Sequence, residues 1–253
     1  MRTCWYLSSC VETDSTAPLT YTKSRSAFST EERYRQTVMT INTIRCLQPE
    51  AMIYVVDGST DVTAIRTGLE SIFSHCRVVA SKDLATAEDF DRIRRHPNKS
   101  LGESIQLRDF VTAYQDELRQ YDLVFKMSGR YVLTDTNPQT LRPARRDAYL
   151  FKRPLQFPWQ DAWGYHPVDL RQTEGHTFLK QYCSVWYGYG QDRVEDVRQL
   201  YCGLVGLLQH PSMIRYDVET LLYYLLADVR SQVMELPVTV LGWTGPDAQL
   251  MRY

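Results

Sequence analysis

Tyr121-Asp122-Leu123-Val124-Phe125-Lys126-Met127-Ser128-Gly129-Arg130-Tyr131 is the stretch on which the reading of this chain turns. Its short apolar run, bounded by turn-forming residues, predicts a buried strand over Leu123–Met127. The run then breaks into Ser-Gly, followed at once by a guanidinium and a phenol. A buried strand carries Lys126 and Arg130 at little cost only where its end opens onto a site, because an isolated buried charge is expensive. In an open α/β sheet the carboxyl ends of the strands are where ligands bind. Two cations beside a glycine backbone suit a phosphate or a sugar acid. The competing reading is a twisted edge strand whose Lys and Arg reach solvent.

Outward from this strand, the first half alternates strands with helices. Thr3–Leu7 reads as a first strand ending in Ser8-Ser9. Ser29-Thr30-Glu31-Glu32 has the capping-box form and opens a helix with Tyr34, Val38, Ile41 and Ile44 at helical spacing down to Leu47. Met52–Val56 is a second buried strand, terminating in Asp57-Gly58-Ser59. A helix over Ala64–Phe73, a strand at Val78-Val79-Ala80, and helices over Ala87–Arg95 and Leu101–Leu118 follow. This alternation predicts a mostly parallel sheet flanked by helices. In the second half Ala148–Lys152 reads as a strand and Val238–Leu241 as a closing one. Helices are expected over His176–Trp186, Val194–Leu208 and Asp217–Leu226, which makes that half the more helical. No repeat or linker divides the 253 residues, so one domain is expected.

Composition narrows the function classes. A formal net charge of −1 supplies no global basic field, which argues against nucleic acid as a partner. Six cysteines, at 4, 10, 46, 76, 183 and 202, show neither C-x-x-C nor zinc spacing and predict reduced thiols in a cytoplasmic protein. The apolar stretch at the N-terminus ends at Ser8, too early for a signal-peptide core, and no run reaches membrane-spanning length.

Several segments, in order, resemble the GT-A-type glycosyltransferases of bacterial and viral surface-glycan loci. The form K-x-x-G-E is present as Lys99-Ser100-Leu101-Gly102-Glu103, and F-K-x-S-G-R-Y as Phe125–Tyr131. Asp217-Val218-Glu219-Thr220-Leu221-Leu222-Tyr223 is similar to D-V-E-x-L-L-Y, and Leu236–Gly242 to the group's closing strand. The resemblance spans most of the chain. It implies a Rossmann-like GT-A fold, with residues 1–135 as the nucleotide-sugar half and 136–253 as the acceptor half. It also implies transfer of a hexosyl or deoxyhexosyl group from a nucleotide-sugar donor to a glycan or lipid-linked acceptor. The setting would be surface polysaccharide synthesis, in peripheral contact with the membrane or other glycan-assembly enzymes.

The residues fit that implication. Ser8, Ser9, Asp57, Lys99, Gly102, Glu103, Lys126, Ser128, Gly129 and Arg130 are the donor-binding candidates. Asp57 would meet a base or ribose, although Asp-Gly-Ser more commonly forms a turn. Glu103 would recognise donor hydroxyls, against the plain role of an acid near a helix start. Glu219 is the candidate catalytic carboxylate, at the edge of an apolar helical stripe, where a transfer needs one base. Asp217 competes for the role, and both acids could simply serve the helix N-terminus. Arg153, Trp163 and His166, within an aromatic segment that also holds Trp159 and Tyr165, are the acceptor-binding candidates.

One departure from the family pattern matters. Where most members carry Asp-x-Asp for Mg²⁺ or Mn²⁺, this chain has Lys126-Met127-Ser128-Gly129-Arg130. Cationic side chains can neutralise a departing diphosphate, so no metal is expected, with Mn²⁺ or Mg²⁺ as the alternative. A non-catalytic nucleotide-sugar or glycan-binding domain of the same fold is the competing class. A nucleotidyltransferase is disfavoured by the lack of a G-x-G-x-x-G near the first strand.

Overall fold

The computed structural model of the chain describes residues 1–14, 16–20, 22, 25–135, 137–158, 178–213, 215–244 and 248–253. In chain order its strands are β1 (Thr3–Ser9), β2 (Met52–Asp57), β3 (Cys76–Ala80), β4 (Leu123–Ser128), β5 (Tyr131–Leu133), β6 (Tyr149–Phe151), β7 (Leu155–Pro158), β8 (Phe178–Gln181), β9 (Trp186–Gly190), β10 (Val233–Glu235), β11 (Val240–Trp243) and β12 (Leu250–Arg252). The helices are α1 (Thr30–Leu47), α2 (Thr63–Ile72), α3 (Ala87–Arg95), α4 (Lys99–Ala113), α5 (Gln115–Leu118), α6 (Val194–Leu208) and α7 (Val218–Leu225).

The central sheet runs in the order β10-β6-β9-β4-β1-β2-β3. Parallel pairing joins β4, β1, β2 and β3, and also β10 to β6, while β9 runs antiparallel to both of its neighbours. The expected mixed α/β architecture, a mostly parallel sheet with helices on its faces, is what the chain forms.

Strands covered on both faces need apolar residues at every position, and this explains the unbroken runs. Along β1, Cys4 and Tyr6 join the core beneath α4, α6 and α7, whereas Trp5 and Leu7 join the core beneath α1 and α2. Trp5, Phe125 and Trp186 line up across three strands, with ring centroids 4.7 Å and 5.7 Å apart. Such contacts add about 0.5–1.5 kcal/mol each beyond burial. The register pairs Phe125 with Gly188, and a Cβ there would stand 2.5 Å from the Phe125 ring.

The predicted capping box at Ser29 forms. Its hydroxyl accepts from the Glu32 N–H, and Glu32 accepts from the Ser29 N–H. The helix expected over Leu101–Leu118 is interrupted at Tyr114, giving α4 and α5. At the β3 edge the free backbone is covered from α2. Val78 donates its N–H to Glu70 (2.8 Å), and its carbonyl accepts from Arg66 (3.2 Å). Side chains so placed occupy groups that would otherwise pair with another strand.

The helix expected over His176–Trp186 does not form in the described part of that range. Phe178–Gln181 pairs with Leu155–Pro158 as an antiparallel hairpin, and Trp186 begins β9. Apolar and aromatic side chains in this stretch serve pairing and stacking rather than a helical face. The second half is therefore mixed, with α6 and α7 set among strands. The closing strand also moves, from the expected Val238–Leu241 to Val240–Trp243. It joins β5 and β12 in a small antiparallel sheet. That sheet is held to α1 by hydroxyls, Thr40 donating to the Tyr131 carbonyl (2.7 Å) and Thr43 accepting from the Leu133 N–H (3.2 Å). Among the described residues no helix is long and apolar enough to cross a membrane.

Gly188→Ala should lower stability by about 1–3 kcal/mol, since the added methyl meets Phe125 and the Val124 carbonyl, and neither can withdraw from the packed sheet. Denaturant unfolding would show it as a lower midpoint at unchanged slope.

Candidate functional site

Parallel pairing brings the carboxyl ends of β1, β2 and β4 to one edge of the sheet, with Ser8 beside Ser128 and Ser9 beside Asp57. Three further elements close a cleft over this edge. From α4, capped by Asn98 on the Ser100 N–H (2.9 Å), the residues Lys99, Gly102, Glu103 and Gln106 recur at helical spacing and face inward. From α1 come Arg33 and Thr37, and from α3 comes Ile93. The end of β4 adds Ser128, and the turn after it adds Gly129 and Arg130. This inner compartment encloses about 600 Å³ up to its open mouth. An outer compartment of about 1080 Å³ shares Lys99, Glu103, Ser128 and Arg130 with it and is lined further by Ser184, Arg215, Asp217 and Glu219.

Lys126 lies beneath the wall between the compartments, only 1% exposed. Its ammonium donates to Glu103 Oε1, to the Ser184 carbonyl (2.5 Å) and to Ser128 Oγ (3.2 Å), so all three of its protons have partners. Burial pushes the Glu103 carboxyl up, and Lys126, with Lys99 and Arg130, outweighs it and holds the group below the usual carboxylate range. Ser8 Oγ donates to the same Glu103 oxygen at 3.5 Å.

The remaining charges are positive. Arg33, 5% exposed, donates to the Cys10 carbonyl (2.6 Å) and Ser26 Oγ (3.1 Å), both neutral. Burial, and then Arg130, pulls its proton affinity down to about 10. Arg130, followed by burial, depresses Lys99 to about 7. Among the described residues Glu103 is the one carboxylate lining the inner compartment, and it is committed to Lys126. The inner compartment therefore carries excess positive charge in a partly desolvated space, which fits an anion. A divalent ion needs carboxylate or carbonyl oxygens around it. The end of β4 offers ammonium and guanidinium, and among the described residues no group of three or more His, Cys, Asp or Glu is placed to hold a metal. This donor set does not fit Mg²⁺ or Mn²⁺.

In the outer compartment the two acids at the start of α7 have different surroundings. Asp217 is the N-cap: Oδ1 accepts from the Thr220 N–H (2.6 Å) and Oδ2 from Gln181 Nε2 (2.9 Å). Glu219 accepts from Ser184 Oγ, and burial, followed by Asp217, raises its carboxyl to about 7.

The cleft thus gathers Ser8, Ser9, Lys99, Gly102, Glu103, Ser128, Gly129 and Arg130, with Lys126 just beneath. Gly102 is there for packing as well, because a Cβ would meet the backbone of Ile93 at 3.0 Å where α3 crosses α4. Asp57 is fully buried and accepts from the Val11 and Ser59 N–H groups (3.0 and 2.8 Å), and it lines neither compartment. Arg153 lines a separate cavity with Lys180, Tyr223 and Arg230. Trp163 and His166, with Trp159 and Tyr165, lie outside the described residues.

Arg33, Gln106 and Ser184 were not singled out from the sequence. For Arg33 a signal existed: Arg33, Gln36, Thr37 and Thr40 form a second, polar stripe on α1, and all four are buried. Nothing local marks Ser184, whose place depends on how β8 and β9 pack.

No family model and no curated protein matches the chain. Among solved structures, a protein described as a nucleotide-diphospho-sugar transferase from Desulfovibrio desulfuricans is similar at 12% identity and a TM-score of 0.48, over 93% of this chain and 80% of its own. Mouse xyloside xylosyltransferase 1 is similar at 10% identity and 0.45, over 93% and 84%. The 4-diphosphocytidyl-2C-methyl-D-erythritol synthase of Anaerococcus prevotii gives 11% and 0.48, over 93% and 87%. Likenesses of this degree leave function to be argued from the chain's own geometry.

Lys126→Met should cost about 3–5 kcal/mol, because it strands the Glu103 carboxylate without its counter-charge. Adding Glu103→Leu should return much of that loss, and chemical denaturation of the two variants would measure the recovery.

Proposed function

We propose that the chain is a glycosyltransferase that takes its sugar from a nucleotide-diphosphate donor. The carrying observation is the pairing of two compartments: an anion-fitting one at the carboxyl ends of parallel strands, and a second, continuous with it, holding a carboxylate raised to about 7. The donor diphosphate lies against Arg33, Lys99 and Arg130, which take over the neutralising work that a divalent ion performs elsewhere. The acceptor enters the outer compartment. Glu219 removes the proton of the attacking hydroxyl as oxygen bonds to the anomeric carbon. The anomeric carbon–oxygen bond to phosphorus breaks, and its electron pair leaves with the nucleoside diphosphate. Asp217 holds the helix that presents Glu219. The ordered motif resemblance supports this reading and extends it to a hexosyl or deoxyhexosyl donor and a glycan or lipid-linked acceptor of surface polysaccharide synthesis, on the cytoplasmic side.

A thermal-shift panel of UDP-, GDP-, CMP- and dTDP-sugars, with Mn²⁺ and with chelator, tests the donor half. One nucleotide class should raise the melting temperature equally in both conditions. Arg130→Ala should abolish that rise while the ligand-free melting temperature stays unchanged. A rise that needs Mn²⁺ would overturn the cationic reading. Affinity should weaken as pH rises past about 7, because the bound anion favours the protonated form of Lys99.

Glu219→Gln should keep donor binding and lose transfer by roughly 10²–10⁴-fold. Independently of activity, the raised carboxyl makes ionised Glu219 unfavourable in the native state. Its stabilising contribution is present when protonated and lost as pH rises through about 7. Glu219→Gln should therefore melt higher than the parent at pH 8, with the difference vanishing near pH 4. Donor binding without turnover by the parent protein would assign it as a binding domain.

A further inference from the structure

The group that hydrogen-bonds Glu219 belongs to a residue with no part in the proposed reaction. Ser184 sits in the short connection between β8 and β9, 5% exposed. Its carbonyl accepts from Lys126 Nζ at 2.5 Å, and its hydroxyl donates to Glu219 Oε1. Neighbouring backbone bonds fix the connection on both sides. Ser128 donates its N–H to the Val185 carbonyl (2.9 Å), and Tyr182 donates to the Glu219 carbonyl (3.2 Å). Ser184 is thereby clamped between the end of β4, in the donor compartment, and the first turn of α7, in the acceptor compartment.

We propose that Ser184 is a positioning residue for Glu219: its hydroxyl aims the carboxylate into the outer compartment and favours the ionised form, while its carbonyl anchors that alignment to Lys126. The proposal rests on Glu219 being the base. A carboxylate in the first turn of a helix has free side-chain torsions unless something holds it, and a base a fraction of an ångström out of line loses much of its effect. A donor hydrogen bond to an ionised carboxylate also lowers its proton affinity. Several groups act against that. Asp217 at the start of α7 and Glu103 on α4 bring negative charge near Glu219, while Cys183 in the same connection, Tyr201 on α6, Tyr131 on β5 and Tyr253 face it as neutral groups whose own ionisation it disfavours. Across the compartment stand the cations Lys99, Arg130 and Arg215. Burial, then Asp217 and Glu103, raises the carboxyl, and the Ser184 bond opposes them.

The test is a carbon-13 NMR titration of glutamate carboxyls in the ligand-free protein, with Glu219 assigned from the Glu219→Gln spectrum. Ser184→Ala should move the Glu219 midpoint up by about one unit, and Ser184→Thr should leave it in place. In turnover, Ser184→Ala should lower kcat about tenfold at pH 7 and less at pH 9, with donor KM unchanged. Should Ser184→Ala not fold, Ser184→Cys, a weaker donor, should give a smaller upward shift. An unmoved midpoint in the folded variant, with Glu219→Gln inactive, overturns the role of Ser184 and leaves the base assignment standing. A moved midpoint with Glu219→Gln fully active overturns the base assignment, and the positioning role with it. A loss of kcat equal at all pH values also overturns the proposal.

Discussion

The buried pair of Lys126 and Glu103 is the contact around which the candidate site is arranged. It joins the central strand of the sheet to α4, and Lys126 also donates to Ser128, at the end of the same strand, and to Ser184, in the connection between β8 and β9. Taking two charges from water costs several kcal/mol each, and the cost is offset only when every proton and lone pair finds a partner. Here that requirement locks three chain segments, β4, α4 and the β8–β9 connection, into one geometry. The same pairing uses up the carboxylate that would otherwise balance Arg33, Lys99 and Arg130. An ion pair that looks purely structural therefore also leaves the cleft electropositive.

That arrangement divides the chemistry between two neighbouring spaces. Positive charge gathers in the inner compartment, and a carboxylate reluctant to ionise faces the outer one. The depressed lysine and the raised glutamate share two causes, a like-charged neighbour and burial, in opposite order of weight. Lys99 is crowded by a like charge, Arg130, while Glu219 is desolvated and sits near another acid. Both groups are drawn to about 7 from opposite sides, and shifts of this size cluster at functional sites.

Much of this was legible before any coordinates. The unbroken apolar runs at Leu123–Met127 and Met52–Val56, alternating with amphipathic segments, are enough for a parallel sheet between helices. The expected helix begins at Leu101, and it is the structure, which starts α4 at Lys99, that puts Lys99, Gly102 and Glu103 on one helical face. What local pattern misread was the described part of His176–Trp186. There, apolar and aromatic residues lie at spacings compatible with either a helix or a strand, and only cross-strand partners such as Phe157 opposite Leu179 and Met127 opposite Trp186 decide between them. Asp57 shows the same limit in the site. Its tripeptide suits a ligand contact or a turn, and in the structure its carboxylate accepts from the N–H groups of Val11 and Ser59.

By itself the amino-acid order determined the fold class, the edge of the sheet where a site would form, and the cationic character of that edge, because periodicity and charge are properties of neighbouring residues. The tertiary structure alone decided which cations remain available. Lys126 and Arg130, four positions apart and alike in sequence, differ because one side chain reaches Glu103 and Ser184 from distant segments while the other opens onto the cleft. It likewise decided that Gln181 reaches Asp217 and that Glu219 receives the Ser184 hydroxyl. Hydrogen-bond partners drawn from far along the chain exist only once the sheet is closed, so no local pattern can carry them.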